Sequence, residues 1–360
     1  MPPTPGQPLD ALESPQLLID LDVLDANLER MRAHLRGRSV VLRVHFKSLK
    51  CAGLARYLAE CGVKHFLCAK LNEAEVLADA GMRDIFIANQ IIGKHKLQRL
   101  AELSSRVNVS VCVDEADNIN QMSRAAVERG VQIGVLVEVN IGMNRCGVEP
   151  GEPALALARL VHSSPGLRFV GLQGYDGHLQ LLADGAERRA KSVEAIHRLV
   201  ATRRMIEAAG FAVEVVTGAG TGTGEWVGAE EGVTEIQPGS FLLMDSAYHA
   251  VRPEFGCSLS VLATVISRRP GWYVLDAGSK AISRDFGMPL VKNRPDDKVV
   301  KLSEEHTRVD SDDPAIRVGD RVEIIPTHCC ATMNLHRDCV ATRRGRVEAY
   351  WPIEASGRYD

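Results

Sequence analysis

The chain has 360 residues, 45% of them hydrophobic and 25% charged, with a formal net charge of -3. That length suffices for one large barrel plus a smaller domain, and the composition is that of an ordinary globular protein. The slightly acidic balance leaves no basic footprint for nucleic acid, and no run of eighteen apolar residues exists to span a membrane. The opening "MPPTPGQPLDALESP" lacks the basic-then-apolar order of a signal peptide, so a cytoplasmic protein with nine reduced cysteines is expected.

Strand-like runs begin with "QLLIDLD" (16–22), followed by the helical "VLDANLERMRAHLR". Next comes "VVLRVHF" (40–46), whose period of two, continued one residue further, puts Arg43, His45 and Lys47 on one face. Three basic groups so close repel one another unless an anion sits among them. Further strands are read at "HFLCAK" (65–70), "DIFIAN" (84–89), "NVSVCVD" (108–114), "IGVLVEVN" (133–140), "FVGLQGYDG" (169–177), "EVVTGAG" (214–220) and "VTEIQPGS" (233–240). Amphipathic helical stretches separate them, several closed by glycine. About eight strand–helix repeats of near thirty residues predict parallel strands with right-handed crossovers, a (β/α)8 TIM-type barrel over residues 19–255. After about Phe255 helical periodicity stops, and "SLSVLATVISRR", "GWYVLDAG", "RVEIIP" and "RGRVEAYWPI" predict a C-terminal β domain over 256–360.

Barrels of this kind carry their chemistry at the C-terminal ends of the strands. Lys47, Asn140–Arg145, Tyr175–His178, Gly218–Thr223 and Gly239–Ser240 all fall there. In "TGAGTGTG" (217–224) the spacing of Gly218 and Gly220 lets backbone N–H groups converge on an anion, and the hydroxyls of Thr221 and Thr223 add donors. "QPGS", with Gly239 and Ser240, supplies a second small loop one strand later, so the pair predicts a phosphate site. Arg145, in a turn after a strand, is placed to donate to a phenolate or carboxylate. His178 is a pocket candidate. In "PTHCCATMNLHRDC" (326–339) His328 and Cys330 are two apart, and an extended segment presents both to one face as a two-ligand metal site requires, with Cys329 turned into the packing. Asn334, His336 and Asp338 are candidates for orienting those ligands.

The ordered set "SPQLLIDLD", "LRVHFKSLKC", "IFIANQIIG", "GMNRCGV", "TGAGTGT", "VTEIQPGSFLLMD", "DAGSKAISRD", "LSEEH" and "HCCATMNLH" covers nearly the whole chain. It resembles the fold-type III pyridoxal-phosphate enzymes, in the branch of D-threonine aldolases, 3-hydroxy-D-aspartate aldolases and D-serine dehydratases. The resemblance implies an alanine-racemase-like fold whose first eighteen residues join the β domain, acting as a homodimer. It implies that Lys47 links covalently to pyridoxal 5'-phosphate, with His45, Arg145, Tyr175 and Gly218 around the cofactor and Gly220, Thr221, Gly239 and Ser240 on its phosphate. It further implies that His328 and Cys330 bind a divalent ion (zinc, manganese or magnesium) beside the β-hydroxyl of a D-3-hydroxy amino acid, His328 sharing in catalysis. Cys330 is the dehydratase choice of ligand, whereas "QGYDGHLQ" and "TGAGTGT" are nearer the aldolases. The reading is a retro-aldol lyase giving glycine and an aldehyde, with a dehydratase forming a 2-oxo acid as the alternative and a racemase, which needs no metal, behind both.

Overall fold

A computed structural model describes residues 2–360 and contains a closed barrel of eight parallel strands. In chain order, β1 is Gln16–Asp20, and the barrel is β2 (Val41–His45), β3 (His65–Cys68), β4 (Asp84–Gln90), β5 (Asn108–Val113), β6 (Ile133–Glu138), β7 (Leu167–Gly174), β8 (Val215–Gly218) and β9 (Glu235–Ile236). The barrel closes where β9 pairs with β2, through Val41 with Glu235 and Leu42 with Ile236. These strands read as apolar runs because both faces are covered; all six residues of β6 are buried. Leu67, Phe86, Cys112, Leu136 and Val170, one from each of five successive strands, form a single core cluster.

Two details of the barrel position its rim. β2 ends at His45, and Phe46–Ser48 is a 3-10 turn, so Lys47 stands beyond the strand rather than in its alternation. In β7 the pairing jumps from Phe169 opposite Val135 to Gly171 opposite Leu136, leaving Val170 as a bulge. A side chain at Gly171 would put its Cβ 1.9 Å from the Val215 carbonyl oxygen, so only glycine lets β8 approach there.

The second sheet is made of β10 (Leu259–Arg269), β11 (Trp272–Leu275), β12 (Leu290–Val291), β13 (Lys298–Leu302), β14 (Thr307–Asp310), β15 (Arg321–Ile325), β16 (Asp338–Arg343) and β17 (Arg346–Pro352), together with β1. β1 lies antiparallel to β10 and parallel to β16. Leu18 packs there with Leu12, Leu262, Val340 and Val347. A helix, Cys329–Leu335, interrupts what the pattern had predicted as strands alone.

The chain divides into two compact units, one holding residues up to Met31, Ser48–Leu54 and Ser240–Gly357, the other Arg32–Lys47, Ala55–Gly239 and Arg358–Asp360. It passes between them at Gly239–Ser240, against an expected border near 255. The residues after Ser240 belong with the sheet: the Ser246 N–H donates to the Pro326 carbonyl, and Ser258 N–H to Leu243.

Candidate active site

On the barrel rim, Lys47 is half-buried, and its backbone N–H donates to His45 Nδ1 at 3.3 Å. Its Nζ stands 5.5 Å from the centre of the Tyr175 ring, and the Arg145 guanidinium carbon stands 5.8 Å from the same ring. The three line one cavity of about 240 Å³, shared with His45, Asn89, Gln173 and Gln237. An amine, a guanidinium and an aromatic face around one space suit a planar anionic ligand.

The expected three-residue basic face is corrected by Arg43. Its guanidinium turns to Glu235 (2.7 Å) and Asp84 (2.9 Å), both in the barrel, so the anions that satisfy it are the protein's own. Burial alone would raise the Asp84 carboxyl; His65 and Arg43 outweigh that and hold it down at about 2. His178 is corrected too. It is exposed and lines a different recess, with Lys191 and Arg198.

The glycine loop after β8 is shaped by a residue the motif reading passed over, Gln180. Its side-chain oxygen accepts from Gly222 N–H at 2.9 Å, and its amide nitrogen donates to Thr223 Oγ1 and to Asp176 Oδ1, each at 2.8 Å. A Cβ at Gly220 would lie 2.5 Å from that side-chain oxygen, and one at Gly218 would lie 2.2 Å from the Gly174 carbonyl. These glycines therefore serve close packing as well as any ligand. Thr221 is buried in the same loop. No spacing rule pointed to Gln180 or Asp176, which lie four apart in "GYDGHLQ" and act on a loop some forty residues on.

In the sheet unit, His328 precedes the helix and Cys330 sits in its first turn, so the two meet across a helix start and not along an extended segment. Burial lowers the His328 pKa, but bonding to Cys330 and Asp285 raises it to about 9. His328 Nδ1 is 2.9 Å from Asp285 Oδ2, and the imidazole lies against Phe286 with ring centres 4.7 Å apart. Cys330 Sγ lies 3.1 Å from Ser48 Oγ and 3.6 Å from Ser240 Oγ. Cys329 is buried, as expected, and its N–H donates to Asp245 at 2.8 Å. Asn334, His336 and Asp338 are occupied elsewhere: Asn334 accepts from Gly357 N–H, His336 bonds the Ala281 carbonyl, and Asp338 accepts from Gln16. Asp285 takes the orienting place that these three were expected to fill.

The residues fit the groups that the sequence resemblance implies. The rim offers a primary amine beside an aromatic ring and a guanidinium, with the 217–224 loop at the end of β8 for a phosphate. An imidazole anchored through Nδ1 to a carboxylate, with a thiol beside it, is a donor set suited to a divalent metal.

Residues 19–247 match the family described as alanine racemase, N-terminal domain, and residues 258–342 match a putative serine dehydratase domain. A D-threonine aldolase of Arthrobacter sp is 37% identical over 99% of this chain and 96% of that protein. The crystal structure of D-threonine aldolase from Filomicrobium marinum is similar with a TM-score of 0.95 and 37% identity, covering 99% of both chains. A D-threo-3-hydroxyaspartate dehydratase, solved as a cysteine-to-alanine mutant in the metal-free form, is similar with a TM-score of 0.87 and 27% identity over 96% of this chain and 98% of that one. The same dehydratase has been solved as a histidine-to-alanine mutant, the substituted position lying two residues before that cysteine.

Proposed function

The chain belongs to the fold-type III pyridoxal-phosphate enzymes that include D-threonine aldolases, 3-hydroxy-D-aspartate aldolases and D-serine dehydratases, and on that premise we propose that it cleaves D-3-hydroxy amino acids to glycine and an aldehyde. It is a lyase dependent on pyridoxal phosphate. The observation that favours the aldolase is overall likeness, 37% identity to an aldolase against 30% to a dehydratase, while the rim cavity of Lys47, Arg145 and Tyr175 suits the cofactor in either reading.

In this reading the Lys47 amine would hold the cofactor and, once the Cα–Cβ bond has broken, would deliver the proton that Cα needs to become glycine. His45 fixes the turn that carries Lys47 by accepting its N–H. Arg145 and Tyr175 flank the ring, and Gly218, Gly220, Thr221, Gly239 and Ser240 hold the phosphate. The bound cofactor supplies an electron sink for the charge that develops at Cα.

His328 and Cys330 would hold a divalent ion, which would supply Lewis acidity at the β-hydroxyl of the substrate. The paired histidine and cysteine of the dehydratase mutants, at the same spacing, support that assignment, and a thiolate ligand favours zinc over manganese or magnesium. The bond from His328 Nδ1 to Asp285 leaves Nε2 as the nitrogen that would take the ion. By the same family resemblance the protein acts as a homodimer. The second reading, a dehydratase, rests on Cys330.

The deciding experiment incubates the holoenzyme with D-threonine and with D-serine, plus zinc or manganese, and identifies products by mass spectrometry. Glycine with acetaldehyde from D-threonine is the expected result; pyruvate or 2-oxobutyrate without glycine would establish the dehydratase instead. Replacing His328 and Cys330 together by alanine is expected to strip the bound metal, measured by elemental analysis, and with it most of the activity. Unchanged metal content would remove the pair from the ion.

A further inference from the structure

Against the 217–224 loop lie three buried polar side chains, Asp176, Gln180 and Arg188, which together with Thr223 of the loop itself take no part in the proposed chemistry. We propose that Gln180, backed by Asp176, is the positioning residue that holds this loop in its phosphate-binding shape and so sets the preference for a phosphorylated over an unphosphorylated cofactor. The inference rests on the reading of the site as one for pyridoxal phosphate.

The hydrogen bonds fix the amide in one orientation. The Gln180 oxygen accepts from Gly222 N–H, while its nitrogen donates both to Asp176 and to Thr223. A flipped amide would set its N–H groups against the Gly222 donor and its oxygen against the Asp176 carboxylate. Thr223 Oγ1 passes the constraint on, accepting from Gly220 N–H at 3.4 Å, so one side chain reaches both glycines flanking Thr221. On the far side Arg188 donates to the Gly222 carbonyl at 3.2 Å, and its guanidinium lies 5.3 Å from the Trp226 ring centre. Gly222 is thereby held by its N–H and by its carbonyl.

Gln180 acts through the backbone. The space a Cβ at Gly222 would need is taken by the Gln180 carbonyl, 2.1 Å away. The arrangement carries a cost, because Asp176 Oδ2 is buried without a hydrogen-bond partner among the described residues. An apolar pair of the same size would pack the space without that cost. What Asp176 contributes is the orientation of the amide, and the amide in turn fixes the backbone of the loop at Gly222 and, through Thr223, at Gly220.

The test compares wild type with Gln180→Met, which keeps the volume and loses the bonds. Cofactor-free full chain is titrated with pyridoxal phosphate and with pyridoxal, which lacks the phosphate, and binding is followed by visible absorbance. The expected result is an affinity for pyridoxal phosphate at least tenfold weaker, with pyridoxal binding unchanged and inorganic phosphate no longer competing. Equal loss for both ligands, or none for either, would overturn the proposal. Should Gln180→Met fail to fold, Thr223→Val removes the Gly220 tether together with the bond that Thr223 accepts from Gln180, and the same split between the two ligands is expected. A wild type that takes up neither ligand would bring down the proposed function and this inference with it.

Discussion

Asp176 is 1% exposed, and burial pushes its carboxyl up to about 6, against 3.8 for an ordinary aspartate. Its native form therefore holds the proton more tightly than the unfolded chain does. The stability this confers is complete below about pH 4 and is lost as the pH rises through 6, leaving an ionised group that costs roughly 3 kcal/mol at neutral pH. Asp176→Asn should accordingly flatten the fall in stability between pH 4.5 and 7.5, read by urea unfolding at the two values. A variant that keeps the wild-type slope would show that the dependence comes from another group. Asp84 has the opposite sign: held at about 2, it contributes stability above pH 3.8 that disappears as the pH falls through 2. At this scale the strand-end placement of Lys47 and Arg145 was legible, and the two line one cavity. Gln180 was not, because an amide that bonds backbone forty residues away leaves no local spacing to read. Nor could the pattern tell that Arg43 directs its charge to Glu235 and Asp84.

Among elements, the bulge in β7 governs where the 217–224 loop emerges. Gly171 admits the Val215 carbonyl of β8, and the 217–224 loop follows two residues later. Gly171→Ala must push β8 outward and should destabilise the barrel by about 2 to 3 kcal/mol, seen as a lower melting temperature together with weaker uptake of pyridoxal phosphate. An unchanged melt would mean that β8 yields freely. The apolar runs located every barrel strand, since a strand covered on both faces has few other ways to be written. Their ends were less legible: the run read over 233–240 shrinks to the two residues Glu235–Ile236, beyond which single bonds, Gln237 N–H to the Gly218 carbonyl and His45 N–H to the Pro238 carbonyl, reach the neighbouring strands. The helix Cys329–Leu335 escaped notice for a plain reason. Seven residues make two turns, too few for a period of 3.6 to declare itself.

At the level of the whole molecule, the chain crosses between its two units at Lys47–Ser48 and again at Gly239–Ser240, both expected site positions. The barrel was legible from its eight repeats. The place of β1 in the other sheet came only through family resemblance, since pairing across such a distance writes nothing into the neighbouring residues. β1 is an interior strand, flanked by β10 and β16. Deleting residues 2–20 should therefore open two sheet edges and turn soluble protein into aggregate, as judged by size-exclusion chromatography. A soluble deletion product with a cooperative melt would contradict this. The position of β1 also sets a delay during synthesis. It leaves the ribosome about 240 residues ahead of β10, which at 5–20 residues per second is roughly 10 to 50 s, and β16 is later still. Through that interval Leu17, Leu18 and Ile19, all buried in the finished sheet, have neither neighbouring strand to cover them. A strand translated among the first thus takes its place among the last, and until then the nascent chain offers chaperones an apolar segment near its start.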